Sequence, residues 1–239
     1  MTTILTVQNI AKTYNMRDGI VYALNDVSFS IKKGDFVSIT GPSGSGKTTL
    51  LLALSGLIRP TSGEIIFENQ HLENASDKKL AEFRKKHVGF VMQNFSLIPY
   101  MTSIQNVMIP LGLNGQSSIE QKTNASAVLE LVGLEDRQNH FPRELSAGQQ
   151  QRVAIARALV NKPTIIFADE PTGNLDPSLS TEILEFLQKI NKELNITIMM
   201  VTHSPQAAEY GNTRIHLQDG KLENLHSKET NIKVVEVTI

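Results

Sequence analysis

The residues Gly41, Pro42, Ser43, Gly44, Ser45, Gly46, Lys47 and Thr48 fit G-x-x-x-x-G-K-[ST], the pattern of a phosphate-binding loop or Walker A motif. Its glycines let the backbone turn so that several N–H groups point at one anion. A helix beginning near Gly46 would aim the positive end of its dipole at the same place. Lys47 adds a mobile charge for the outer phosphates of a nucleoside triphosphate, and the Thr48 hydroxyl suits a magnesium ion bridging them. The motif requires a strand before it and a helix after it. Phe36–Thr40 reads as a buried strand and 49–56 as an apolar helix, which sets the loop apart from a glycine-rich turn with a surface lysine.

Two further stretches carry candidate chemistry. Pro163 ends a helix, and the apolar strand that follows closes on Asp169 and Glu170, a Walker B pattern. In an open parallel sheet, ligands sit at the carboxyl ends of strands. Asp169 would there hold magnesium, directly or through water, and Glu170 would accept a proton from attacking water. By itself such a pair is an ordinary solvated strand end; a phosphate loop in the same chain favours the catalytic reading. The run Leu145, Ser146, Ala147, Gly148, Gln149 opens a helix, with Ser146 a good N-cap and Gly148 keeping the first turn open. That makes a second helix N-terminus able to meet an anion, though alone it is only a capped helix.

The elements that must position these residues alternate. Strands are expected at 4–10, at 26–31 with Val27, Phe29 and Ile31 inward, at 64–67, 87–92, 165–168 and 196–201. Helices are expected at 77–86, 118–132, 147–160 and 179–193. The run 93–116, punctuated by Pro99, Pro110, Gly112 and Gly115, reads as a mixed segment, and 232–239 as a strand or an ordered extension. Alternation of this kind implies an α/β fold with a mostly parallel sheet, and the middle of the chain reads as a helical insertion into it.

The 239 residues suffice for one large domain or a domain with an insertion, and 40% of them are hydrophobic. A net charge of −1 gives no general pull toward nucleic acid or an acidic membrane surface, and no nucleic-acid partner is expected. There are no cysteines, so disulfides and thiolate metal sites are excluded. No apolar run reaches the length of a membrane span and no signal peptide is evident, so the chain is expected to be soluble by itself. The basic run Arg84, Lys85, Lys86 reads as the solvated face of a short helix.

Taken together and in this order, the motifs resemble the ATPases of ATP-binding cassette (ABC) transporters over nearly the whole chain. The run from Leu145 to Gln149 is similar to that family's signature motif, with Ala147 where glycine is usual. The resemblance implies a P-loop NTPase core with an N-terminal antiparallel β subdomain and an inserted helical subdomain. It divides the chain into a core of 1–93 and 161–226, a helical subdomain of 94–160 and a tail of 227–239. It implies ATP and Mg²⁺ as ligands and carries roles over residue by residue. Tyr14 matches the aromatic that stacks on adenine, its bland alternative being a surface tyrosine. Thr49 continues the phosphate loop. Gln93 matches the glutamine that contacts magnesium or the attacking water, and Asp176, in Asn174-Leu175-Asp176, falls in the D-loop at a dimer interface. His203 matches the switch histidine at the terminal phosphate.

In this family two cassettes meet head to tail around ATP. The resemblance therefore implies a homodimer, or a heterodimer with a related cassette, in which Ser146, Gly148 and Gln149 complete the partner's site. The runs 34–39, 93–99, 106–111 and 171–176 are most similar to the LolD/MacB-like group, whose partners are integral membrane permeases with an FtsX-like fold. The expected place is then the cytoplasmic face of the cell membrane, held there through the permease. The apolar segment 94–113, with Leu97 and Ile98, is the candidate docking surface or else ordinary subdomain packing. A cassette of an uptake system and a non-transport cassette remain alternatives. A P-loop kinase is a further one, although kinase chemistry does not need the signature helix.

Overall fold

Two sheets form because the chain carries two kinds of strand. β1 (Thr3–Met16) and β2 (Gly19–Lys32) mix buried and exposed positions, and in β2 Val27, Phe29 and Ile31 are buried while Ser28 and Ser30 are exposed. Strands of that kind cover a core with one face only. β3 (Phe36–Thr40), β6 (Val88–Met92), β7 (Ile165–Asp169) and β8 (Thr197–Val201) are short apolar runs, the kind covered on both faces. β1 and β2 join β4 (Ser62–Phe67) and β5 (Gln70–His71) in an antiparallel sheet of order β2-β1-β4-β5. The apolar strands join β9 (Thr213–Gln218) and β10 (Lys221–Ser227) in a sheet of order β10-β9-β3-β8-β7-β6, parallel except for the β9–β10 pair. The computed structural model describes residues 2–17 and 19–227; the expected strand or extension at 232–239 lies outside them.

Helices fill the spaces the sheets leave. α1 (Lys47–Leu54) lies between the two sheets, where Leu50, Leu51 and Leu54 pack among Ile10, Phe67, Ile39 and Val201. α2 (Asp77–His87) closes the edge of that core with Leu80 and Phe83. On the other face of the parallel sheet, α6 (Pro177–Leu194) buries Ile183, Leu184, Leu187 and Ile190 against Ile166, Ile198 and Met200. Positions spaced three, four and seven apart make one helix face. Each such side chain contributes about 1.5–3 kcal/mol when fully buried. A third core unites α3 (Ser103–Leu113), α4 (Ser118–Leu131) and α5 (Ala147–Leu159) through Val107, Leu111, Leu129 and Val153. Among the described residues, no helix is long and apolar enough to cross a membrane.

The segment 93–116 departs from its expected mixed character, because its second half is the helix α3. Thr102 and Gln105 form a reciprocal capping box at its start. Ile104, Val107 and Leu111 then fall on one buried face. Pro110 sits in the last turn, where it lacks only one N–H toward the preceding turn. Within its first turn, the fully buried Asn106 binds the preceding main chain of 98–102: its Oδ1 accepts from Ile98 N at 2.7 Å, and its Nδ2 donates to the carbonyls of Ile98, Met101 and Thr102. The strands β5, β9 and β10 and the short helix α7 (Pro205–Ala208) are further elements that the sequence pattern does not announce.

Candidate active site

Across the parallel sheet, Met92 pairs with Asp169, Asp169 with Val201, and Val201 with Ile39. Neighbouring strands lie about 4.8 Å apart, so this row crosses four strands at one level. The residues that follow it leave the sheet together at the carboxyl edge: Gln93 after β6, Glu170 after β7, His203 after β8 and the glycine loop after β3. Four segments far apart in sequence thus converge on one edge.

The glycine loop is shaped by close approach. At Gly41 (φ 144°) a Cβ would lie 2.0 Å from the Leu217 carbonyl oxygen, and at Gly46 (φ 97°) it would lie 2.2 Å from that of Ala23. Only glycine fits where backbone meets backbone this closely. Gly46 N-caps α1 in a left-handed conformation, and its carbonyl accepts from Leu50 N at 2.8 Å. Ser45 is buried and its carbonyl accepts from Gly220 N, so the turn between β9 and β10 braces the loop. Pro42, Ser43 and Gly44 form an exposed crest. Beneath it Lys47 is buried, and its Nζ donates to the carbonyls of Pro42 at 2.7 Å and Gly41 at 3.0 Å. Burial lowers the Lys47 pKa, while Glu170 and Asp169 nearby oppose that shift.

The acids face the loop. Thr48 Oγ1 lies 3.3 and 3.4 Å from the two carboxylate oxygens of Asp169. Burial raises the Asp169 pKa, and the neighbouring Glu170 charge adds to it, against the Thr48 hydrogen bond, Lys47 and His203. Glu170 has φ 46°, a left-handed conformation that costs a non-glycine residue about 1–2 kcal/mol. Its N–H donates to the Val201 carbonyl at 3.0 Å, and its own carbonyl accepts from Gly173 N. The turn brings Glu170 Oε1 to 3.1 Å from His203 Nε2. The Gln93 amide packs on the Gly173 backbone, where a Cβ would meet its Nε2 at 2.8 Å and Glu170 Oε2 at 3.2 Å. Two candidate side chains thus converge on Gly173.

The remaining candidates lie on other elements. Tyr14, 37% exposed, pairs with Val21 on the β1–β2 hairpin, two residues along from Ala23, which touches the loop; Lys12 Nζ lies 5.3 Å from its ring centroid. Thr49 lies in the first turn of α1. Ser146, Gly148 and Gln149 stand at the start of α5, where Ser146 Oγ accepts from Gln149 N and Gln149 Oε1 accepts from Ser146 N. A Cβ on Gly148 would lie 3.0 Å from Leu179 of α6. α5 packs on α3, α4, β6 and α6, whereas α1 packs on β2, β7 and β8, so the two helix N-termini belong to different parts of the molecule. Asp176 caps α6, accepting from the N–H groups of Ser178 and Leu179 and from the Ser178 hydroxyl; these bonds, led by Leu179, hold its carboxyl below the usual range. In the segment 94–113, Leu97 packs against the helical core and Ile98 is tied by Asn106, while Tyr100 is 75% exposed.

Sequence reasoning missed three polar residues that hold this arrangement: Asn106, Gln151 and Arg157. Gln151 is fully buried in α5, and its Nε2 donates to the Pro171 carbonyl at 2.6 Å, one residue beyond Glu170. A glutamine on an otherwise apolar helix face was the available signal.

The site fits a phosphate chain and a hard divalent ion. The loop is a backbone cradle in which Gly41 and Gly46 leave room only for backbone, and Lys47 lies within it. Among the described residues, no group of three or more His, Asp, Glu or Cys side chains is placed to hold a metal. Magnesium needs no such cage, since one or two carboxylates with phosphate oxygens and water suffice. Asp169 with the Thr48 hydroxyl is a donor set of that kind, and a cation there would offset the penalty that burial places on the Asp169 charge.

Known proteins share the sequence and the fold. A family model described as ABC transporter matches residues 24–173. An uncharacterized ABC transporter ATP-binding protein of Methanocaldococcus jannaschii, MJ0796, is 45% identical over 223 residues, covering 92% of this chain and 95% of the relative. The macrolide export ATP-binding/permease protein MacB of Syntrophobacter fumaroxidans is 43% identical over 92% of this chain, which corresponds to 31% of that protein. A dimeric structure of MJ0796 in a post-hydrolysis state, bound to ADP and Pi, superposes with a TM-score of 0.86 at 42% identity, over 94% of this chain and 98% of that one.

Proposed function

From the premise that this chain belongs to the ABC transporter family, as an ATP-binding and ATP-hydrolysing subunit, we propose that it works as one half of a cassette dimer that drives a membrane permease. The observation that carries the reading is the row Met92, Asp169, Val201, Ile39, from which Gln93, Glu170, His203 and the phosphate loop leave the sheet at one edge. The loop from Gly41 to Thr48, with Thr49, binds the phosphates of ATP, and Tyr14 receives the adenine. Lys47 exchanges its loop carbonyls for phosphate oxygens as the nucleotide enters. Thr48, Asp169 and Gln93 hold Mg²⁺, which when bound neutralises charge on the phosphate oxygens.

Hydrolysis then follows from the geometry of Glu170. Water attacks the terminal phosphorus in line; its O–P bond forms as the bridging P–O bond to ADP breaks, and Glu170 takes the proton. The His203 imidazole, 3.1 Å from Glu170, holds that carboxylate and meets the terminal phosphate. Gln93 orients the water. Ser146, Gly148 and Gln149 complete the site of the opposite subunit, and Asp176 lies at the seam. The separation of α1 and α5 within one chain supports that division, as does the dimeric state of the MJ0796 structure. In the same reading 1–93 with 161–226 form the nucleotide core, 94–160 the helical subdomain and 227–239 a tail; the separate helical core supports the boundary.

The permease is the FtsX-like kind, the cargo is a lipoprotein, peptide or drug that is exported or extracted, and the cassette sits at the inner membrane face. The similarity to a macrolide export protein whose name joins an ATP-binding part to a permease supports this. Tyr100, exposed just before α3, offers an apolar contact for a permease segment. Replacing Glu170 by Gln tests the chemistry: ATP binding persists while hydrolysis falls about 10²–10⁴-fold. Parental turnover in that variant contradicts the assignment of the base.

A further inference from the structure

The chain after β6 passes twice through left-handed backbone, at Phe95 (φ 57°) and Ser96 (φ 49°). Neither is glycine, and such residues persist where their surroundings hold them. Two anchors do so from different elements. In α5, Arg157 Nη1 donates to the Ser96 carbonyl at 2.6 Å and Nη2 donates to the Phe95 carbonyl at 2.9 Å. In the loop after β7, Asn174 Nδ2 donates to the Gln93 carbonyl at 3.1 Å and to Asn94 Oδ1 at 2.8 Å. Gln93 thus sits between a hold on the helix that begins at Ser146 and a hold on the loop that ends at Asp176. A planar guanidinium serves two successive carbonyls at once, which a lysine ammonium does not do in a fixed geometry.

We propose that Arg157 is a positioning residue for Gln93: its fork on Phe95 and Ser96 sets where the Gln93 amide stands, so that α5 aligns the site of its own chain as well as capping the partner's. This rests on the reading of Gln93 as the group that orients water or magnesium. The same helix reaches the base through Gln151 and the Pro171 carbonyl, so α5 touches the segments of both Gln93 and Glu170. Burial of the guanidinium, which lowers its pKa, is consistent with a fixed rather than a mobile arginine.

A double-mutant cycle tests the assignment. Steady-state hydrolysis by the full chain is measured for Gln93→Ala, Arg157→Met and the pair together, with affinity for a fluorescent ATP analogue followed separately. Arg157→Met should lower kcat about 10–100-fold, the scale of a misplaced catalytic group. It should leave nucleotide affinity near the parent's and add nothing in the Gln93→Ala background. Arg157→Lys, which keeps the charge and the stem but loses the fork, should shift kcat the same way and stands in if the Met variant does not fold. Losses that multiply in the double variant, or a parental kcat in the Arg157 variants, overturn the proposal. A parental kcat in Gln93→Ala alone instead removes the underlying reading of Gln93.

Discussion

At the residue scale, the site stores unfavourable charge that its ligands relieve. Asp169 is pushed up by burial and by Glu170, so its ionised form opposes folding. A carboxyl with a raised folded pKa imposes no penalty below its ordinary value, a growing one as pH rises toward the raised value, and the full one above it. Asp169→Asn should therefore raise the melting temperature of the nucleotide-free chain at neutral pH, by about 2–4 °C for each kcal/mol relieved. That gain should vanish as pH falls below the ordinary carboxylate range, and the variant should lose stabilisation by magnesium and ATP. Thermal scans of both proteins from pH 4 to 8 check this; a gain that persists at the acid end would contradict it. The strained Glu170 backbone is a second local cost kept at the same place, which is where such costs accumulate in enzymes.

At the scale of elements, each loop is built by a neighbour. The glycine loop is held by β2 and by the β9–β10 turn, and its glycines differ in what they do. Gly44 has φ 78° with open space where a Cβ would stand, so Gly44→Ala should cost about 1–2 kcal/mol, the penalty for a left-handed alanine. Gly46→Ala adds a 2.2 Å approach to the Ala23 carbonyl and should cost more than about 3 kcal/mol, because two backbones must separate. Urea denaturation of the two variants without nucleotide decides it; equal losses would mean that the contact with β2 does not matter. The phosphate loop was legible because its chemistry is local and contiguous. Asp169 and Glu170 were legible only in the company of that loop. α3 was not, because Pro110 and three glycine or proline neighbours hide a helix that Thr102, Gln105 and a buried apolar face establish. Arg157 was not, because its partners are main-chain carbonyls 61 and 62 residues away, and any residue type supplies those. β9 escaped because Arg214 and His216 interrupt its apolar positions, although Thr213, Ile215 and Leu217 are buried.

At the scale of the whole molecule, the proposed function has one chain present half of each of two sites. The phosphate loop opens from the sheet edge, and the signature residues stand at the start of α5 in the helical part. Two copies related by a twofold axis would each offer the missing half to the other, and ATP would hold the seam until its terminal phosphate is cleaved. Slow hydrolysis should make that state persist, whereas Ser146→Arg, introduced beside Glu170→Gln, should allow nucleotide binding and prevent closure. The most direct measurement is the mass of the Glu170→Gln chain in solution, by light scattering or sedimentation, with saturating ATP, with ADP and with no nucleotide. A doubling of mass with ATP alone, abolished by Ser146→Arg, is the result predicted. A chain that stays monomeric while fully occupied by ATP would contradict the shared site.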